Sequence, residues 1–536
     1  MLNPEVNLRT SAEICSQIGS YFQVVDNCIA VADTNRQYCI NPQTSYAPSP
    51  PIKGGSYTSV IISPNTHNTA DIYNGFIRAN MKITLNADAK KPINEINHGD
   101  YKFNKLWFGF KDARDAVEKY EIVANGITIY TQNNGCEESF LTACSDNEAV
   151  KRSDVYSRAR HKDIWNGKYK RCGGIVEWKA EASADINIKL KIDLRRFLPL
   201  SNIKYLPAFA GKLELRLYFS CAALLCCPCG PDCDLQNDAF ALSSLKLPYI
   251  TTEFTPIGEP IKVWVGKTDT AANKDTVIPA YHSLVADERT FTVSDYEITE
   301  CSSIIPCFGI SDDVYSSLVQ RYSNPEHPLT FPTQTISVFT TTKILSEEND
   351  KSTCTITPRF VDSIFCLFPL KHTHHTYFKN PQFTKFQLNC GGYGNIPSKP
   401  FSVNGVDAEP EFVEYCQNAM NMNCDQTGFS KDVVASLTNT KEYNEDVYGL
   451  YSNDKTSFFI GLPTETDNTF QQGLTSLSPI NFEIIVSQNN TSAYRKDVKT
   501  PPLICLLYDC SISIWVRPNG QPPLVRIGNY DITTPE

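Results

Sequence analysis

The segment Cys226-Cys227-Pro228-Cys229-Gly230-Pro231-Asp232-Cys233 is the densest set of chemically able side chains in the sequence. Cys226 and Cys229 form a C-x2-C pair, and Cys233 follows closely. One zinc ion could gather these three thiolates, with Cys221 or a more distant cysteine as fourth ligand. The plainer reading is a reduced Pro/Gly turn at a strand end, because no second half-site is present in the sequence. His372-Thr373-His374-His375 could present two imidazoles on one strand face. It follows an apolar strand and has no acidic neighbour in sequence, so it reads as a surface loop. Gly266-Lys267-Thr268 imitates the end of a phosphate loop, but Ile261 stands where the loop's first glycine is required, so the backbone cradle cannot form.

No G-x-S-x-G, H-E-x-x-H or G-x-G-x-x-G sequence occurs, which removes the anchors for the common hydrolase, zinc-protease and dinucleotide readings. Adjacent acids such as Glu137-Glu138 and Asp312-Asp313 read as dipole and capping residues at helix starts. A glycosidase pair stays open at this stage, since the separation of two carboxylates is a property of the fold. No catalytic, cofactor-binding or metal-ligating residue is assigned, and the chain is expected to be no enzyme.

The elements are written more clearly than any site. Ala184 to Leu194 alternates strictly, with Ile186, Ile188, Leu190 and Ile192 on one side and Asn187, Lys189, Lys191 and Asp193 on the other. Lys212 to Phe219 alternates the same way, and both predict half-buried strands. The 11% aromatic content and 33 prolines tilt the chain toward strands and loops. A net charge of -10 argues against coating nucleic acid, which needs clustered Lys and Arg. No apolar run reaches the roughly 18 residues a membrane helix requires. The first residues lack a basic-then-apolar export pattern. The expectation is synthesis in a reducing cytosol with most of the 20 cysteines free, and the overlapping sequons at Asn489 and Asn490 carry no weight there.

At 536 residues, two domains are expected. Residues 1–56 read as an N-terminal arm ending in a Pro/Gly run, able to reach a neighbour. Residues 57–246 form the first strand-rich block, 247–262 a linker, 263–517 a second block, and 518–536 a C-terminal tail. Asn125-Gly126 between apolar runs predicts a two-residue hairpin. A helical insertion is expected within 136–166. In the second block, Ser311 before Asp312-Asp313, with Val314, Leu318 and Tyr322 on one face, predicts a helix, and a second begins at Pro410. The fold class is all-β: two jelly-roll β-sandwiches with short helical insertions.

The residues then resemble a family. Arg195-Arg196-Phe197-Leu198-Pro199-Leu200, Tyr205-Leu206-Pro207-Ala208-Phe209 and the Leu213 to Phe219 strand look like the close of the first jelly roll in double jelly-roll major capsid proteins of the Polinton (Maverick) and virophage group. The Asn125-Gly126 hairpin with its insertion, Ile396-Pro397-Ser398-Lys399-Pro400, Phe458-Phe459-Ile460-Gly461-Leu462 and Gly473-Leu474-Thr475-Ser476 resemble the same family. The resemblance implies homotrimeric, pseudo-hexagonal capsomers that meet neighbouring capsomers, penton and minor capsid proteins in an icosahedral shell. That shell would enclose a double-stranded DNA genome without sequence-specific nucleic-acid binding, and the protein would be made in the host cytoplasm and end in the virion. Jelly rolls also serve glycan-binding and glycan-cleaving proteins, so that class and a minor capsid role are the alternatives.

Overall fold

The computed structural model describes residues 19, 21–27, 52–53, 56–64, 67–87, 97–98, 101–102, 105–146, 156–160, 164, 172–177, 183–229, 254–266, 284–324, 327–404, 410–420, 429–439, 454–464, 473–517 and 521–528. Cys233, Lys267 and Thr268 lie outside them, as does part of the expected insertion.

Eight strands form the second sandwich: Leu329–Thr340, Asn349–Ile356, Val361–Leu367, Lys385–Cys390, Asn395–Phe401, Ile460–Pro463, Ile480–Ser487 and Leu503–Trp515. Counted in that order, one sheet runs first, eighth, third, sixth and the other second, seventh, fourth, fifth. This is the strand order of a jelly roll, with every pairing antiparallel. Leu503–Trp515 is buried along nearly its whole length, since it lies between two neighbours in its sheet and has packed side chains on both faces. Asn395–Phe401 closes one edge of the other sheet. Pro397 and Pro400 lack the amide donors that would invite another strand.

The first sandwich repeats part of this pairing pattern. Thr58–Ile61 pairs with Leu213–Phe219, which pairs with Val117–Ala124. Phe76–Ala87 pairs with Ser183–Asp193. Ile186, Ile188, Leu190 and Ile192 are all buried, as their alternation predicted, against Ile77, Ala79, Met81 and Ile83 of the partner strand. Each such side chain contributes about 1.5–3 kcal/mol by leaving water. Asn125 and Gly126 take positive φ angles of 51° and 86° in the hairpin joining Val117–Ala124 to Ile127–Gln132. Both central residues of a type I′ turn require that left-handed backbone.

The two sandwiches share elements. Leu329 and Phe331 belong to the first core while Ile336, on the same strand, belongs to the second. On Leu503–Trp515, Ile504 to Tyr508 pack in the second core and Ile512 and Ile514 in the first. The helix Gly135–Cys144 follows a strand of the first sandwich yet places Phe140, Leu141 and Cys144 in the second core.

Three segments differ from expectation. On sequence, Leu284–Ile304 falls in the second block, but it pairs with Phe76–Ala87 of the first sandwich. In the expected tail, Leu524–Gly528 pairs with Ser511 to Trp515. Within the expected arm, 21–27 are helical and dock on the chain's own first core. Tyr21 meets Tyr322 and Phe331 edge-on, and Asp26 bonds Lys204 at 2.7 Å and Tyr205 Oη at 2.7 Å. The predicted helices are present at Asp312–Tyr322, with Leu318 and Tyr322 buried, and at Pro410–Ala419.

Candidate functional site: the buried seam between the sandwiches

Lys111-Asp112-Ala113-Arg114-Asp115-Ala116 leaves the strand Lys105–Gly109 and tightens into a 3-10 turn over Ala113–Ala116. A capping box closes it. The Asp112 carboxylate accepts from Arg114 N at 3.0 Å, and the Asp115 carboxylate accepts from Asp112 N at 3.0 Å. The turn carries four charged side chains into the region where the two sandwiches meet.

Each cation there finds an acid. Lys111 Nζ lies 2.9 Å from Asp454 Oδ2 of the second sandwich and donates to Thr456 O at 3.0 Å. Arg114 lies 3.7 Å from Glu138, donates to Val117 O at 2.8 Å, and stacks between the rings of Tyr120 and Phe197. Arg158 lies 3.3 Å from Asp112 and also contacts Asp146. Arg196 pairs with Asp146 and donates to Thr142 O at 3.2 Å. Glu138 further accepts from Tyr120 Oη at 3.0 Å and Leu198 N at 3.0 Å.

Burial sets the acid strengths in this seam. It raises Asp112 and Glu138 against the opposing pull of Arg158 and Arg114 respectively. Asp115 is pushed up to about 7, first by burial and then by the charge of Asp112. Its nearest donors are Ser139 Oγ at 2.6 Å and Asp112 N. Buried ion pairs are weak evidence of stability, because desolvation offsets the Coulomb gain, but they fix which surfaces can meet.

The histidines correct the surface-loop reading. His374 is buried, with Nε2 3.5 Å from Glu259, and burial lowers its pKa. His375 Nδ1 lies 2.8 Å from Glu137. Burial pulls its pKa down, but the Glu137 hydrogen bond and charge outweigh that and leave it raised. Glu137 and Glu138 are therefore buried seam residues rather than solvated helix-start acids. Neither pairing is visible in sequence, because the partners lie far apart along the chain.

Cys226 packs in the first core, while Cys227 and Cys229 join Trp107, Phe254 and Tyr377 in a small separate cluster. Burial raises the Cys226 and Cys227 thiols, away from the thiolate that binds metal. Among the described residues no group of three or more His, Cys, Asp or Glu is placed to hold a metal ion. A cavity of about 60 Å³ beside Lys111, Arg158, Thr376 and Asp454 has room for a few water molecules at roughly 10–15 Å³ each, and none for a sugar ring.

Two β-sandwiches, joined through shared strands and a buried ionic seam, give this chain a double jelly-roll architecture. No family model matches it, and no curated protein matches it. Among solved structures it is similar to a chain of the Sputnik virophage, at 13% identity and a TM-score of 0.45, over 91% of this chain and 89% of that one. It is similar to the mavirus major capsid protein, at 10% identity and a TM-score of 0.42, over 91% and 90% of the two chains. The Faustovirus major capsid protein is similar at 6% identity and a TM-score of 0.37, over 92% of each chain.

Proposed function

We propose that this chain is the major capsid protein of an icosahedral double-stranded DNA virus of the Polinton and virophage kind, assembling as a homotrimer. The observation that carries this reading is the joining of two β-sandwiches in one chain through shared strands and a common seam. Three such chains closing head to tail present six sandwiches, giving a threefold ring a nearly hexagonal outline that can tile a shell. The role is mechanical. It agrees with the seam, where Lys111–Asp454 and Glu137–His375 pair buried charges of one sandwich with the other. The acidic net charge leaves genome contact to other proteins. The mavirus and Faustovirus chains described above are major capsid proteins, and the proposal gives this chain the same role.

Size-exclusion chromatography with light scattering tests the trimer: the expected mass is three times the 60.0 kDa of one chain. Negative-stain images of that peak are expected to show hexagonal outlines. A monodisperse monomer across micromolar concentrations would overturn the proposal.

A further inference from the structure

Among the described residues, Asp115 takes no part in the ion pairs of the seam. Lys111 answers Asp454, Arg114 answers Glu138, Arg158 answers Asp112, and Arg196 answers Asp146. Asp115, 1% exposed, instead faces a hydroxyl and a backbone amide. The charged groups around it are Lys111, Asp112 and Arg114 of its own turn, and Glu137 and Glu138 on the helix Gly135–Cys144, with Cys136 beside them. Arg158 and Arg160 approach from 156–160, and Arg196 from the end of Ser183–Asp193. Asp432 and Asp454 face the turn from the second sandwich, beyond Lys111. His375 reaches the region only through Glu137.

We propose that the Asp112–Asp115 capping box is a proton-operated catch between the two sandwiches, holding one proton, carried on Asp115, when the seam is closed. The inference goes beyond the capsid reading and does not depend on it. Ser139, the side-chain partner of Asp115, sits on the same helix that buries Phe140, Leu141 and Cys144 in the second core. With the proton in place, Asp112, Glu138, Asp146 and Asp454 each have a cation and the Asp115–Ser139 contact is a neutral hydrogen bond. Loss of the proton leaves an unanswered buried charge beside Asp112, and that repulsion loosens the turn from the bridging helix.

The sign follows from linkage. An aspartate has a pKa of about 3.9 in the unfolded chain, and Asp115 is raised to about 7 here. Its contribution to stability is full below the first value, is lost as the pH rises toward the second, and stays lost above it. Mild acid closes the catch and a pH above neutral releases it. Glu138 and His375, both raised, act in the same direction, and His374, lowered, acts in the opposite one. The test therefore compares two proteins rather than reading one slope.

Asp115→Asn imitates the protonated group at the same size. In thermal unfolding of the full chain, the Tm of the variant is expected to rise relative to the parent by a few degrees between about pH 5 and about pH 8. A Tm difference that stays constant across that range overturns the proposal. Infrared titration of the parent protein provides a measurement that does not depend on how the variant folds. A buried neutral carboxyl gives its own carbonyl-stretch band, which is expected to vanish as the pH rises through about 7. Absence of a band that titrates there overturns the proposal equally.

Discussion

Replacing Lys111 by Met keeps the aliphatic stem and removes the ammonium that ties the first sandwich to the second. Lys111 and Asp454 are 13% and 6% exposed at the side chain, so their 2.9 Å contact is a buried pair. The variant leaves Asp454 charged, with donors at Thr456 N, 3.0 Å, Thr456 Oγ1, 2.6 Å, and Ser457 Oγ, 3.4 Å. Breaking a buried pair from one side costs about 3–5 kcal/mol. The three surviving hydrogen bonds place this case at the lower end, about 3 kcal/mol, a large share of a stability of roughly 5–15 kcal/mol. Adding Asp454→Asn removes the stranded charge and is expected to restore at least about 1.5 kcal/mol, a coupling that a double-mutant cycle isolates. Urea unfolding followed by circular dichroism measures all four proteins. If Lys111→Met unfolds within about 0.5 kcal/mol of the parent, or the two substitutions simply add, the seam does not hold the sandwiches together as described.

The alternation of Ser183–Asp193 gives a paired test. Leu190→Asp buries a carboxylate at a site 1% exposed and is expected to cost at least about 3 kcal/mol, abolishing soluble yield. Lys189→Glu, on the exposed face, is expected to change stability by no more than about 0.5 kcal/mol, though it can cost the trimer if that face lies at a subunit contact. Equal tolerance of both would contradict the strand assignment. Tyr21→Ala removes the ring held between Tyr322 and Phe331, and limited proteolysis is expected to cut the segment around 21–27 faster while the circular dichroism spectrum is kept. An unchanged cleavage rate would show that the docked helix owes little to that ring.

Strands with one clean face were legible in the sequence, and so were turns with special backbone needs. Leu213–Phe219 and Ser183–Asp193 alternate without interruption, and Asn125-Gly126 admits few conformations other than the turn it makes. Leu284–Ile304 was not legible. Its register against Phe76–Ala87 shifts between Val293 and Asp295 and again between Ile298 and Glu300, so the apolar positions change phase twice along one strand. Asn349–Ile356 is a polar strand at a sheet edge with little apolar signal to betray it. The seam was hidden for a different reason. Lys111 and Asp454, Asp115 and Ser139, and Glu137 and His375 become neighbours only through tertiary contact, and each reads locally as an ordinary surface residue. The C-x2-C spacing reads as a reduced turn at a strand end rather than a ligand set, and packing distributes Cys226 and Cys229 between two apolar clusters.

The sharing of Leu503–Trp515 between cores also sets the order in which the protein can be completed on the ribosome. Ile512, Ile514 and Val525 belong to the core of the first sandwich, although they are made with or after the last strand of the second. A nascent chain therefore leaves one side of the first core open until residues 512–525 have been made. Long-range pairings of this kind close slowly, and exposed apolar strands invite aggregation while they wait. The same delay means that a chain cut short before Ile512 cannot close the first core, however completely its earlier strands pair.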